Sequence, residues 1–137
     1  MKKYAIVIFI ALAFLTVSFA QTPTQEQKSA AQQQNVILKP KVYVEDLILS
    51  WQLLSSIELK ANEVDAFLGV KSFLKPYIEK AQKDNMQLSA TMDLDAPLAT
   101  ANNLIQFLER SSIPAAQAER YKRFVLSFQE AAKNYKQ

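Results

Sequence analysis

Ser72-Phe73-Leu74-Lys75 places a hydroxyl one helical turn ahead of an amine, the spacing at which a lysine can take the proton of a serine nucleophile. Enzymes built on that pair complete the site with Ser-Asp-Asn and Lys-Thr-Gly segments, and neither occurs here. A four-residue match without its context is read as coincidence. Asp93 and Asp95 lie two apart, the minimum for a calcium loop, but the glycine and distal glutamate of an EF-hand are missing; Asp95 is better explained as a helix N-cap. Glu45 and Asp46 are adjacent, so on a helix their carboxylates point about 100° apart and do not converge on one substrate atom. Glu119-Arg120-Tyr121-Lys122-Arg123-Phe124 interleaves basic and aromatic residues in the manner of a phosphate site beside a stacking platform. Tyr121 and Phe124 fall on an apolar stripe, however, which leaves the basic residues as a solvated face. No nucleophile, general acid or general base emerges, and the chain reads as non-enzymatic, with no catalytic residue assigned.

The missing residue types narrow the chemistry further. There is no histidine and no cysteine, which removes the usual ligands of zinc, copper and haem and leaves only hard-metal ligation by oxygen; no metal site and no cofactor are assigned. Without cysteine there is no disulfide framework, so stability must come from an apolar core. Lipid attachment through a cysteine after a leader is excluded on the same ground.

Met1 to Ala20 read as a cleaved signal peptide. Lys2 and Lys3 form a basic start, Tyr4 to Leu15 is an unbroken apolar run, and Ser18-Phe19-Ala20 offers small residues at the two positions a signal peptidase inspects. The expectation is export, to the periplasm or out of the cell. If the segment is kept, Tyr4 to Ala20 is about the shortest apolar stretch that spans a bilayer, and the protein becomes membrane-anchored. The formal charge of +3 is misleading in the same light: two of the sixteen basic residues lie in the leader, so fourteen face thirteen acidic ones in the remainder. A surface so balanced, outside the cytoplasm, has no electrostatic case for nucleic acid.

Residues 21–38 are polar and glutamine-rich, with too little apolar surface to offset the entropy of ordering them, and are expected to form a flexible spacer. Residues 39–137 carry a helical period with a single glycine, which predicts an all-α domain. Helix one is expected over about Val42 to Ile57, with Tyr43, Leu47, Trp51 and Leu54 on one face and Val44, Ile48 and Leu53 widening it, so that it lies at the centre. Helix two begins at an Asn62 N-cap, carries Lys80 and Lys83 in its last turn, and stops at Asp84-Asn85. Pro76 lies inside it and removes one backbone hydrogen bond, so a kink is expected there. Met86 to Leu94 is the least patterned stretch. Asp95 then caps helix three, with Leu98, Ala101, Leu104, Ile105 and Leu108 as its buried stripe as far as Arg110. Pro114 opens helix four, with Tyr121, Phe124, Val125, Phe128, Ala132 and Tyr135 as its apolar face. Short polar connections between amphipathic helices predict a four-helix up-and-down bundle, its second helix kinked at Pro76.

Within that bundle Gly69 is expected to allow a close helix crossing and, with Pro76, to open a groove for a ligand or partner. Trp51, Phe67, Gly69, Phe73 and Tyr77 are the candidate lining residues. The function read from these features is binding or adaptor work for a protein partner in the cell envelope or outside the cell. The second reading is a carrier or sensor of an apolar ligand or lipid held between helices; a cavity lined by Phe67, Phe73, Tyr77 and Trp51 would favour it.

Overall fold

The computed structural model of the chain describes residues 36–135. The leader and residues 21–35 of the spacer lie outside the described residues.

The described residues are predominantly helical, with four α-helices at the places the apolar period predicts: α1 (Val44–Leu54), α2 (Val64–Lys83), α3 (Leu98–Glu109) and α4 (Ala118–Tyr135). What the period does not predict is a β-ribbon. Strands β1 (Ile37–Leu38) and β2 (Lys41–Tyr43) pair antiparallel with β4 (Ala96–Pro97) and β3 (Thr91–Asp93) respectively. Ile37 faces Pro97 and Lys41 faces Asp93, so the register is unbroken between the two pairings, and the amide of Leu94 bridges them by donating to the carbonyl of Pro40 at 3.0 Å. The ladder is interrupted only because Pro40 has no N–H to return.

The ribbon follows a period of two that reading for helices passes over. Leu38, Pro40, Val42 and Val44 are buried and Ile37, Lys39, Lys41 and Tyr43 are exposed; on the other strand Met92, Leu94 and Ala96 alternate with exposed Thr91, Asp93 and Asp95. That alternation is the mark of a strand with one face on a core. Residues 36–38, placed above in the spacer, are therefore part of the folded domain. Met86 to Leu94, which lacks a helical stripe, ends in a strand.

β2 and β4 run directly into helices, and residues just preceding the opposite strands satisfy the helix starts. The amides of Val44 and Glu45, at the head of α1, donate to the carbonyls of Ala90 and Leu88 at 2.9 and 3.0 Å; the amide of Leu98, at the head of α3, donates to Val36 at 2.9 Å. Neither helix uses a side-chain cap, because backbone carbonyls take amides that would otherwise lack partners. This corrects two expectations. Helix one starts at Val44 rather than Val42, and Asp95 is not an N-cap but a ribbon residue, 3.7 Å from Lys39.

α1 is central as expected and packs against all three other helices. Leu47, Leu49, Leu53 and Leu54 bury its several faces. Helices α2 and α3 pack together on one side of it, and α4 packs on the other while also underlying the ribbon. A single 3₁₀ turn, Ala61–Glu63, precedes α2 and replaces the expected Asn62 cap; the Glu63 carboxylate accepts the Lys60 amide at 3.0 Å. The stop at Asp84-Asn85 is as expected. Asn85 adopts a left-handed conformation (φ 47°), and the amides of Asn85 and Met86 return to the carbonyls of Gln82 and Ala81 at 3.2 and 2.9 Å, a Schellman closure. α2 continues through Pro76, which lies on its exposed side, where water can reach the Ser72 carbonyl that has lost its donor. Of the stripe expected on α4, Phe124 and Phe128 are buried, while Tyr135 is exposed and outside the core.

Candidate functional site

The five residues expected to form a groove do not share one. Gly69 is exposed, and a Cβ added there would meet nothing within 4 Å, so no helix crosses close to it. Phe67 packs edge-on against Phe107 of α3, with ring centroids 5.4 Å apart. Phe73 packs edge-on against Tyr77 at 5.5 Å, and the Tyr77 hydroxyl accepts the amide of Asp95 at 2.9 Å. Trp51 lies under the Lys71 ammonium, 3.3 Å from its ring centroid, and burial lowers the Lys71 pKa from its ordinary value. Each aromatic is thus engaged within the fold, and none lines a principal cleft among the described residues.

One cleft runs between β2 and α4. It has a volume of about 370 Å³, and its walls include Lys41, Val42 and Tyr43 from the strand and Lys122, Leu126 and Ser127 from the helix. A smaller pocket of about 150 Å³, sharing Lys41, Ser127 and Glu130 with it, carries it past Lys39 toward Ala131 and Asn134. Since residues from both faces of β2 line it, the cleft follows the outer edge of the strand. In an antiparallel pair the backbone groups of alternate residues point away from the partner strand. Here the bonds to the partner use Val36, Pro40 and Val44, so the N–H and C=O groups of Lys39 and Lys41 and the N–H of Tyr43 point to the outer edge, while the Tyr43 carbonyl, at the N-cap of α1, belongs to the helix. Among the described residues nothing takes the amides of Lys39, Lys41 or Tyr43. On the opposite edge the Asp95 amide is closed by Tyr77, while nothing among the described residues takes the amides of Thr91 and Asp93.

The Tyr43 end of the cleft is braced by an ion cluster. Asp46, in the first turn of α1, has 1% of its side chain exposed, and its two oxygens accept from Nε and Nη2 of Arg123 at 2.6 and 2.7 Å. The same Nη2 donates to Glu45 at 2.5 Å. Arg120 donates through Nη2 to the carbonyl of Glu45, while its buried Nε, 3.6 Å from Asp46, makes no hydrogen bond among the described residues. The hydrogen bonds to Asp46, and then those to Glu45, raise the Arg123 pKa still further above its ordinary value, so the guanidinium is permanently charged. Its plane lies over the Tyr43 ring, 4.2 Å from the centroid. Acidic residues at the head of α1 also favour the positive end of the helix dipole.

Two sequence expectations change here. Glu45 and Asp46 do converge, because one guanidinium is wide enough to accept both and α4 brings it to the helix start. Arg120 and Arg123 are not part of a solvated face but tie α4 to α1; Lys122 alone of the three basic residues in that run is left without an ion pair among the described residues. Of the cleft residues, Lys39 and Lys41 are not singled out by sequence, and Tyr43, expected on the apolar face of helix one, is instead an exposed residue of β2. The signal that marks them is the alternation Leu-Lys-Pro-Lys-Val-Tyr-Val from Leu38 to Val44, obscured by a proline that a strand tolerates at an edge or at one missing bond.

Among the described residues no three acidic side chains gather as a metal site, and no helix is long and apolar enough to cross a membrane. A scan of protein-family models, a search of curated proteins and a search of solved structures each find no match to this chain.

Proposed function

We propose that this is a non-enzymatic binding protein that holds an extended segment of a partner polypeptide along the outer edge of β1 and β2, as a third strand of the ribbon. The observation that carries this reading is the unpaired edge lying beside a cleft walled by α4. Strand addition draws affinity from main-chain hydrogen bonds and specificity from pockets for alternate side chains, and edge and cleft together offer both. Exposed strand edges are otherwise a liability that proteins cover or blunt. Tyr43 is 36% exposed and Leu126 is 41% exposed, so apolar surface is available at the rim. The bracing of Tyr43 by Arg123 lowers the ordering cost on this side of the contact.

In this reading residues 1–20 direct export and are cleaved, 21–35 link, and the helices form an up-and-down bundle bent at Pro76 that serves as a scaffold. The partner belongs to the envelope or the space outside the cell. Selection of displayed random linear peptides against the purified protein tests the proposal. Selected peptides should slow amide exchange at Lys39, Lys41 and Tyr43. Peptides that bind while leaving those three amides unchanged would refute it.

A second cleft favours the carrier reading. Between α3 and α4, about 230 Å³ is lined by Leu98, Ala101, Ile105, Phe128 and Ala132, with only neutral amides among its polar neighbours. Native mass spectrometry of the protein isolated from its own envelope should then reveal a co-purifying lipid; a bare chain under mild isolation counts against it.

A further inference from the structure

Resting on the strand-addition reading, the geometry points to a partner segment in which acidic side chains alternate with apolar ones. The outward face of the ribbon is a charge ladder. Lys41 stands directly opposite Asp93, and the unbroken register puts Lys39 opposite Asp95, with that ion pair at 3.7 Å. Each lysine therefore has an acid on the paired side; on the other side Glu130 of α4 lines the same clefts, but neither lysine is ion-paired there among the described residues. A strand added at the edge brings its own outward side chains next to Lys39 and Lys41, two residues apart, where opposite charges stabilise and like charges destabilise. Between them its intervening side chain points the other way, toward α4, where Leu126 is exposed and Val42 forms the floor. The complementary pattern is acid, apolar, acid.

The same lysines disfavour a second copy of this chain as occupant. Antiparallel pairing of this edge with itself about Pro40 sets lysine against lysine, a device by which edge strands resist self-association. Pro40 does not weaken the outer edge, because the donor it lacks would have pointed toward Leu94.

Four blocked octapeptides titrated into the purified protein test the inference: valine alternating with aspartate, with threonine, or with lysine, and the aspartate peptide N-methylated at alternate amides. The aspartate peptide should bind about tenfold more tightly than the threonine peptide, with the lysine peptide weakest, and the difference should shrink in about 0.5 M salt. Lys39→Glu with Lys41→Glu should invert the order, and Lys39→Met with Lys41→Met should erase the advantage of aspartate; both sites are exposed, and a thermal melt checks that each variant folds. Equal binding of aspartate and threonine peptides, with Lys39, Lys41 and Tyr43 amides protected, would overturn the acidic preference and leave strand addition standing. Undiminished binding of the N-methylated peptide, or binding without amide protection, would overturn strand addition itself. No binding at about 1 mM would overturn both. Amide protection without peptide would also do so, the occupant then being a second copy if protection grows with protein concentration and the chain's own upstream residues if it does not.

Discussion

Replacing Asp46 by asparagine preserves side-chain shape and removes the charge that holds α4 to the head of α1. In the native protein the carboxylate accepts two charge-assisted hydrogen bonds from Arg123, at 2.6 and 2.7 Å, from a position with 1% of its side chain exposed. Hydrogen bonds to charged groups contribute about 1.5–3 kcal/mol each. Arg123 is 43% exposed and regains water when the bond is lost, which places the total toward the lower end, at about 2–3 kcal/mol. An amide at this position also turns an NH₂ group toward one guanidinium nitrogen, and Arg120 Nε loses its nearby anion. For a domain of about 100 residues, 1 kcal/mol corresponds to about 4–8 °C, so Asp46→Asn should lower Tm by about 10 °C or more. The assay is chemical denaturation of the wild type, Asp46→Asn, Arg123→Met and the double variant. The cycle should return a coupling of about 2 kcal/mol, with the double variant less unstable than the sum of the single ones. A loss below about 1 kcal/mol, or strict additivity, would refute the account of Asp46 and Arg123 as the brace between α1 and α4.

Gly69→Ala should raise stability by about 0.5–1 kcal/mol, seen as a higher Tm, because the position is helical and open on its outer side; a loss would mean that a neighbour approaches it after all. Tyr77→Phe removes the acceptor for the Asp95 amide and should cost about 1 kcal/mol while speeding exchange of that one amide selectively. Glu63 has its pKa lowered first by the Lys60 amide and then by Arg110, so its contribution is complete above its unfolded-state pKa and is lost as pH falls through the folded one. Glu63→Gln should accordingly flatten the decline of Tm below about pH 4.5, and an unchanged acid limb would remove Glu63 from that role.

The helices were legible because each carries a stripe of its own. Leu104 and Leu108, or Phe124 and Phe128, recur at the spacing of one turn, and the end of α2 is written locally in Asp84 and Asn85. The strands were less legible, although their alternation is equally regular. Val42 to Leu54 offers a helical stripe that overlaps the alternating stretch before it, and the shorter pattern loses to the longer when only one periodicity is sought. Pro40 and Pro97 added to this, since proline argues against a strand unless the missing donor falls where the ladder can spare it.

The groove around Gly69 failed for a different reason. Glycine and proline report what the local backbone can do, not what packs against it, and among the described residues nothing lies within 4 Å of where a Gly69 Cβ would be. Phe67, Phe73, Tyr77 and Trp51 are apolar at helical spacing, which identifies them as packing residues without saying against what. Partners 18 to 40 positions away, Asp95 for Tyr77 and Phe107 for Phe67, settled it.

Residue types alone determined that this chain has no histidine or thiol chemistry and that apolar burial must hold it together, because those properties depend only on which atoms are present. Apolar spacing determined the helical elements, since periodicity is a local consequence of backbone geometry. The cleft, its open strand edge and the ion cluster that braces it depend on residues 77 and 78 positions apart, Asp46 and Glu45 with Arg123. No local pattern encodes such a distance. It exists only when α4 lies across the head of α1, and packing of Phe124 and Phe128 into the shared core brings the charges together.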